Sequence, residues 1–214
     1  MMSMSISYEK TGRTRQKGRT RAAIIAATRA LIAAGENPTV EQAADVAGVS
    51  RATAYRYFPN QRSMLVSIYP EIEARSLLGA APPDDIGARV DRVVREVTRS
   101  VVEHEPELRT QLRLSLESSA TERKRLVLRQ GRVIGWLEEA LEPARGKIPK
   151  GELRRLVYAI RCAIGIEALV WLCDVGGLSR KEALEHMRWS ARALLRAELV
   201  DGRATRPKRR SDPR

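Results

Sequence analysis

The side chains best equipped for chemistry lie within seven residues: Arg51, Thr53, Tyr55, Arg56 and Tyr57. Two guanidinium groups, a hydroxyl and two phenols at this density suit hydrogen bonding to base edges and phosphates. A solvated polar face is the plain alternative, but it has little use for two tyrosines alternating with arginine. Other groups are weaker candidates. Cys162 and Cys173 lie about three turns apart on one helical pattern, ~16 Å by its rise, too far to bridge. They read as packing residues. His104 and His186 are single and far apart, whereas a metal site needs several converging ligands. No glycine-rich phosphate loop, nucleophile elbow or paired-carboxylate pattern occurs, so the sequence suggests neither an enzyme nor a cofactor or metal requirement. Glu167 is the one acid between Cys162 and Cys173. A buried carboxylate needs a partner, either an arginine of its own subunit or a cationic ligand. Trp136 and Trp171 could line an apolar pocket with Glu167 or simply fill the core.

The arginine- and tyrosine-bearing stretch must be held by what precedes it. Thr39 opens a helical run and Gln42 follows three residues later, a capping-box spacing. Ala43, Ala44 and Ala47 give that helix a small-residue face that lets another helix approach. Gly48 stands at a sharp turn, where it takes a left-handed conformation without a Cβ penalty. Val49 plugs the corner, and Ser50 caps a second helix that runs from Arg51 to Phe58 and stops before Pro59. Ala54 and Phe58, four apart, face inward. A short helix held across its neighbour with arginine, threonine and tyrosine outward fits a DNA major groove.

Ala47-Gly48-Val49-Ser50, Thr53, Tyr55, Tyr57-Phe58 and Leu65 resemble the DNA-binding head of tetracycline-repressor-type (TetR) transcriptional regulators. Ile24-Ile25, Ala27, Leu31-Ile32 and Gly35 resemble the first helix of that head. The resemblance covers about residues 20–66. It implies a homodimer on a palindromic double-stranded operator, usually released by a small molecule bound in the C-terminal domain. Ala43 and Ala54 stand where bulkier aliphatics are usual, and Gln61 where lysine is usual, with Arg62 beside it. The DNA-contacting set is therefore Thr39, Ser50, Arg51, Thr53, Tyr55, Arg56, Tyr57, Gln61 and Arg62.

Of the net charge of +13 over 214 residues, most sits in two tails. Residues 1–21 carry six basic residues against one acid, and residues 201–214 six against two. Residues 1–18 lack apolar periodicity and read as a disordered basic arm. Lys10, Arg13, Arg15 and Lys17 either reach phosphates or a minor groove, or merely solubilise. Residues 201–214 read as a second disordered basic tail. No run reaches the ~18 apolar residues of a membrane helix, and the N-terminus lacks an apolar signal segment, which predicts a cytoplasmic protein.

Helical spacing then continues throughout, predicting an all-α chain. The first helix spans about Arg19–Ala34, with Ile24, Ala27, Leu31 and Ala34 on one face. A fourth helix starts near Asn60, carries Met64, Leu65, Ile68, Ile72 and Leu77, and bends at Pro70. It links the head (residues 19–66) to a helical effector-binding and dimerisation domain (residues 67–200). GAAPPDD at 79–85 is a break. Val90, Val93, Val94, Val97 and Val101 mark a helix over 86–102, with Pro106 as the next boundary. Leu108, Leu112, Leu114 and Leu116 mark a shorter helix; Leu126, Val127, Ile134, Leu137 and Leu141 mark another. Residues 152–175 read as one long helix, apolar nearly all round, with Ala159, Cys162, Ala163 and Gly165 permitting close approach. Ser179 and Glu182 box the start of a last helix over 179–199. Pairing of these two helices about a two-fold axis makes a dimer interface; the same faces could instead complete the monomer core.

These readings converge on a sequence-specific DNA-binding regulator, with repression favoured because a bound dimer occludes a promoter unaided. Two other classes stand beside it: an architectural binder using the basic tails without sequence preference, and, less favoured, a helical enzyme.

Overall fold

The computed structural model describes the backbone of residues 5–68, 74–117 and 132–204, and side chains from Arg15 to Leu199 within those ranges. These residues form two compact units. One contains residues 5–68 and 106–117, the other residues 74–105 and 132–204. The expected division at residue 66 is therefore incomplete, because residues 106–117 return to the first unit. No strand occurs among the described residues, and the all-α expectation is met.

In the first unit α1 (Ser5–Ala33) is followed by α2 (Val40–Val46), α3 (Arg51–Tyr57) and α4 (Gln61–Val66). The backbone is helical from Ser5, whereas a disordered arm was expected over residues 1–18. The stretch has no proline, and Glu9, Lys10, Arg13, Arg15, Gln16 and Lys17 are good helix formers that work against Gly12 and Gly18 as the helix propagates backwards from its packed end. That packed end buries Ile24, Ala27, Thr28 and Ile32, while Leu31 is half-buried and Ala34 exposed. Ile32 therefore takes the place that spacing gave to Leu31 and Ala34.

Helix α4 is shorter than its apolar pattern predicted. It ends at Ser67, whose hydroxyl donates back to Met64 O at 2.7 Å. Ile68 O accepts from the Arg29 guanidinium at 3.2 and 3.3 Å. Leu77 lies in an irregular segment, and Ile72 and the bend at Pro70 lie outside the described residues. Helix α5 (Ile86–Glu103) buries Val90, Val93, Val94, Val97 and Val101, as expected. Helix α6 (Glu105–Glu117) carries Pro106 in its first turn, where its missing N–H costs nothing, so proline opens this helix at the boundary expected there. From Pro106 onward α6 belongs to the first unit: Leu114 packs with Ile32, Leu65 and Ile68, and Gln111 Nε2 donates to Leu65 O at 2.6 Å. Leu116 is 73% exposed.

The second unit continues with α7 (Arg132–Ala140) and a 3-10 turn at Glu142–Ala144. Leu126 and Val127 lie outside the described residues. The predicted long helix is broken. Helix α8 (Lys150–Ala163) ends at Ile164, and α9 (Ile166–Val170) begins after Gly165, with a 42° bend between them. At the break stands Gly165, in an extended conformation, with the ends of the Arg161 and Glu167 side chains lying against its backbone. The last turn widens to a π-helix (Trp171–Val175) before Gly176. Helix α10 (Arg180–Ala204) packs against α5 and α8 through Ala183, Met187, Ala191 and Leu195. Its backbone reaches Ala204, into the expected disordered tail; residues 205–214 lie outside the described ones. No single described helix is long and apolar enough to cross a membrane; the bent α8–π pair passes that test by length and composition only.

Candidate nucleic-acid interface

The site is built on three caps and one corner. Thr39 Oγ1 accepts from Gln42 N at 3.3 Å while Thr39 N donates to Gln42 Oε1 at 2.8 Å, the reciprocal box expected from the sequence. The chain turns at Gly48, with φ +66°, and closes with Gly48 N donating to Asp45 O and Val49 N to Ala44 O, at 3.2 and 3.0 Å. Ser50 then caps α3, accepting from Thr53 N at 3.3 Å and donating its hydroxyl to Thr53 Oγ1 at 2.9 Å. Asn60 and Ser63 form a third box at the start of α4.

Beneath this frame one core joins Ile24, Val40, Ala43, Ala44, Ala54, Phe58 and Met64, with Ala47 and Val49 partly buried against it. Ala43, Ala44 and Ala54 are fully buried. The small side chains bring α2 and α3 close, so the head core is tight at the crossing. Arg21 lies over the Phe58 ring, 5.6 Å from its centroid.

On the outer face of α3, Arg51 and Arg56 are exposed and Tyr55 is 41% exposed. Thr53 and Tyr57 are half-buried; Tyr57 packs on the core, so it was placed too far outward by spacing alone. Gln61 is occupied elsewhere. Its amide donates to Asn37 O and Pro38 O at 3.3 and 3.0 Å and staples α4 to the loop before α2. Arg62 is half-buried.

Two acids of α2 face this set, and sequence reasoning missed both. The Tyr55 hydroxyl donates to Glu41 Oε1, and Arg51 Nη2 lies 3.8 Å from Asp45 Oδ2. The hydroxyl bond from Tyr55 does most to hold the Glu41 carboxyl below its usual range, helped by its own backbone N–H and the Thr39 side chain. The same bond pushes the Tyr55 phenol up. The signal was available: Glu41 and Asp45 are four apart on one helix, as are Arg51 and Tyr55 on the next.

The three expected pocket residues differ in their surroundings. Trp136 is buried at 4% exposure, Trp171 is 61% exposed, and Glu167 Oε2 lies 3.5 Å from Arg161 Nη1 of its own chain. A different groove in this unit, about 880 Å³, has Ile148, Leu153 and Val157 among its walls and Arg145, Lys147, Lys150 and Arg154 around them. One acid, Glu138, also lines it.

No family model and no curated protein matches the sequence. Among solved structures, a TetR transcriptional regulator from Rhodococcus sp. RHA1 is similar, with a TM-score of 0.54 and 18% identity. The match covers 84% of this chain and 97% of that one. The chain has the fold of the TetR-type transcriptional regulators.

Proposed function

We propose that the chain is a sequence-specific DNA-binding transcriptional regulator, a homodimeric repressor that a small molecule releases from a palindromic operator. The observation that carries this reading is the outer face of α3. Arg51, Tyr55 and Arg56 project from a seven-residue helix fixed by caps at its start and by a tight alanine-lined core behind it. A rigid mount is what base discrimination needs, because a tilted reading helix loses register with the groove. Thr39, Ser50, Thr53, Tyr57 and Arg62 border that face; Gln61 is better explained as a staple than as a DNA contact.

Dimerisation through α8 and α10 draws support from their exposed apolar surface. Tyr158 and Trp189 are 44% and 58% exposed, and Cys162 lies one turn beyond Tyr158. A single head offers too little surface for tight specific binding, so a second copy also meets a functional need. For the effector, the groove beside Arg145 and Lys147 is a better candidate than a site built on Glu167, whose charge already has Arg161 beside it. Its volume lies in the range of small-molecule sites. An apolar wall with four cations around it suits an anionic amphiphile, reversing the charge that Glu167 suggested.

Competition binding tests the function. Labelled promoter DNA from around the chain's own gene should survive a large excess of unrelated duplex. Displacement by unrelated DNA at equal mass would support the architectural reading instead.

A further inference from the structure

The outer face of the head offers the Tyr55 hydroxyl, yet its proton is already used: it donates to Glu41 Oε1. A hydroxyl carries one proton. With that proton directed at Glu41, Tyr55 presents only acceptor lone pairs to anything docking from outside. A phosphate oxygen is an acceptor too, so it finds no donor on Tyr55. Glu41 also adds a negative charge that repels phosphate, and Asp45 lies beside Arg51, one turn along α2.

We infer that Glu41 is a positioning residue of the DNA-reading surface, turning Tyr55 into a hydrogen-bond acceptor that selects a base with an exocyclic amino group. In the major groove such donors are cytosine N4 and adenine N6. Cytosine is the better match, because adenine places its N7 acceptor next to the amino group whereas cytosine presents a donor alone. Guanine and thymine offer acceptors at the corresponding edge and meet the Tyr55 lone pairs and the Glu41 charge unfavourably. Glu41 sits on α2, outside the helix that enters the groove, so it sets specificity through a neighbour. Arg51 remains free in its outer N–H groups to reach a phosphate or a guanine, since its contact with Asp45 is a single exposed 3.8 Å approach.

The inference rests on the DNA-reading function proposed above, and one experiment separates the two. Full-length protein and its Glu41→Ala, Glu41→Gln and Tyr55→Phe variants are each used to select duplexes from a random pool, with melting curves as a fold control. The wild type should show one position per half-site that prefers cytosine, with adenine second. Tyr55→Phe and Glu41→Ala should both lose discrimination at that same position, by about tenfold, while other positions keep theirs. Glu41→Gln, whose amide oxygen can still accept the phenol proton, should keep part of it. Glu41→Ala should also bind all sequences somewhat more tightly, because one negative charge that repels phosphate is removed. A residue with a merely structural role would weaken all positions alike. If Glu41→Ala keeps every preference, or relaxes a different position from Tyr55→Phe, the role of Glu41 is overturned while the DNA-reading function stands. If the wild type itself enriches no sequence, the function falls. Should Glu41→Ala fail to fold, Tyr55→Phe against Glu41→Gln still decides: a preferred guanine or thymine at the affected position overturns the inference.

Discussion

Replacing Gly48 by alanine isolates the corner that aims α3. The backbone there has φ +66°, and a Cβ built on Gly48 meets nothing within 4 Å, so the cost is conformational and not a clash. Holding an L-residue in the left-handed region costs about 1–2 kcal/mol. Alanine also restricts the unfolded chain, which offsets about 0.4–1 kcal/mol. The net loss should be about 1 kcal/mol. If the corner relaxed to negative φ instead, the bonds from Gly48 N to Asp45 O and Val49 N to Ala44 O would be at risk. At about 0.5–1.5 kcal/mol each, that route costs no less. Native-state hydrogen exchange reads the effect where it occurs. Amides of α2 and α3 should lose protection by about fivefold, and those of α8 and α10 should not change. Gly48→Asn should fall between, since asparagine tolerates this conformation better. Gly135→Ala on α7, also with open space around it, should go the other way and stabilise by about 0.5–1 kcal/mol. Unchanged protection of α2 and α3 in Gly48→Ala would refute the claim that this turn fixes the reading helix.

Arg51→Ala should weaken operator binding by about 1–3 kcal/mol and relax one position, whereas Tyr57→Phe, half-buried against the core, should lower affinity across sequences; titrations on operator variants check both. Tyr158→Glu, a charge placed on the exposed face of α8, should shift the protein toward monomer in light scattering and reduce operator affinity with it. Glu182, its carboxyl held below the usual range first by the Ser179 hydroxyl and then by the Ser179 backbone N–H, makes α10 sensitive to acid. Because its folded value is depressed, its contribution is present above the unfolded carboxylate range and is lost as pH falls through the folded value. Glu182→Gln should remove that part of the acid-side loss in a melting series. An anionic amphiphile such as a long-chain fatty acid should raise the melting temperature of the wild type more than that of Lys147→Glu/Arg154→Glu, with equal shifts arguing against the basic groove.

Much of the head was legible because its signals are local. Thr39 with Gln42, Gly48, and Ser50 before Arg51 each specify a cap or turn within four residues, and all three do so in the structure. The Ser179–Glu182 box was readable for the same reason. What sequence spacing missed depends on partners distant in the chain. Arg29 and Gln111 donate to the carbonyls of Ile68 and Leu65, 39 and 46 residues away, and no periodicity announces such bonds. The break at Gly165, where the Arg161 and Glu167 side chains meet, is hidden by an apolar pattern that continues through it. Glu167 could be placed beside an arginine or a ligand from sequence, and geometry put it beside Arg161. Trp136 and Trp171 were indistinguishable as residue types, yet one is in the core and the other on the surface.

Two copies of α3, rigidly mounted and symmetry-related, are proposed to read DNA sequence. Selection of bound duplexes from a random pool by the full-length protein, at physiological salt, tests this most directly. The expected result is an inverted repeat whose half-sites are centred about 34–36 Å apart, one helical turn, or at a longer two-fold spacing. Recovery of unrelated sequences with no shared motif, at an affinity set only by salt, would contradict it.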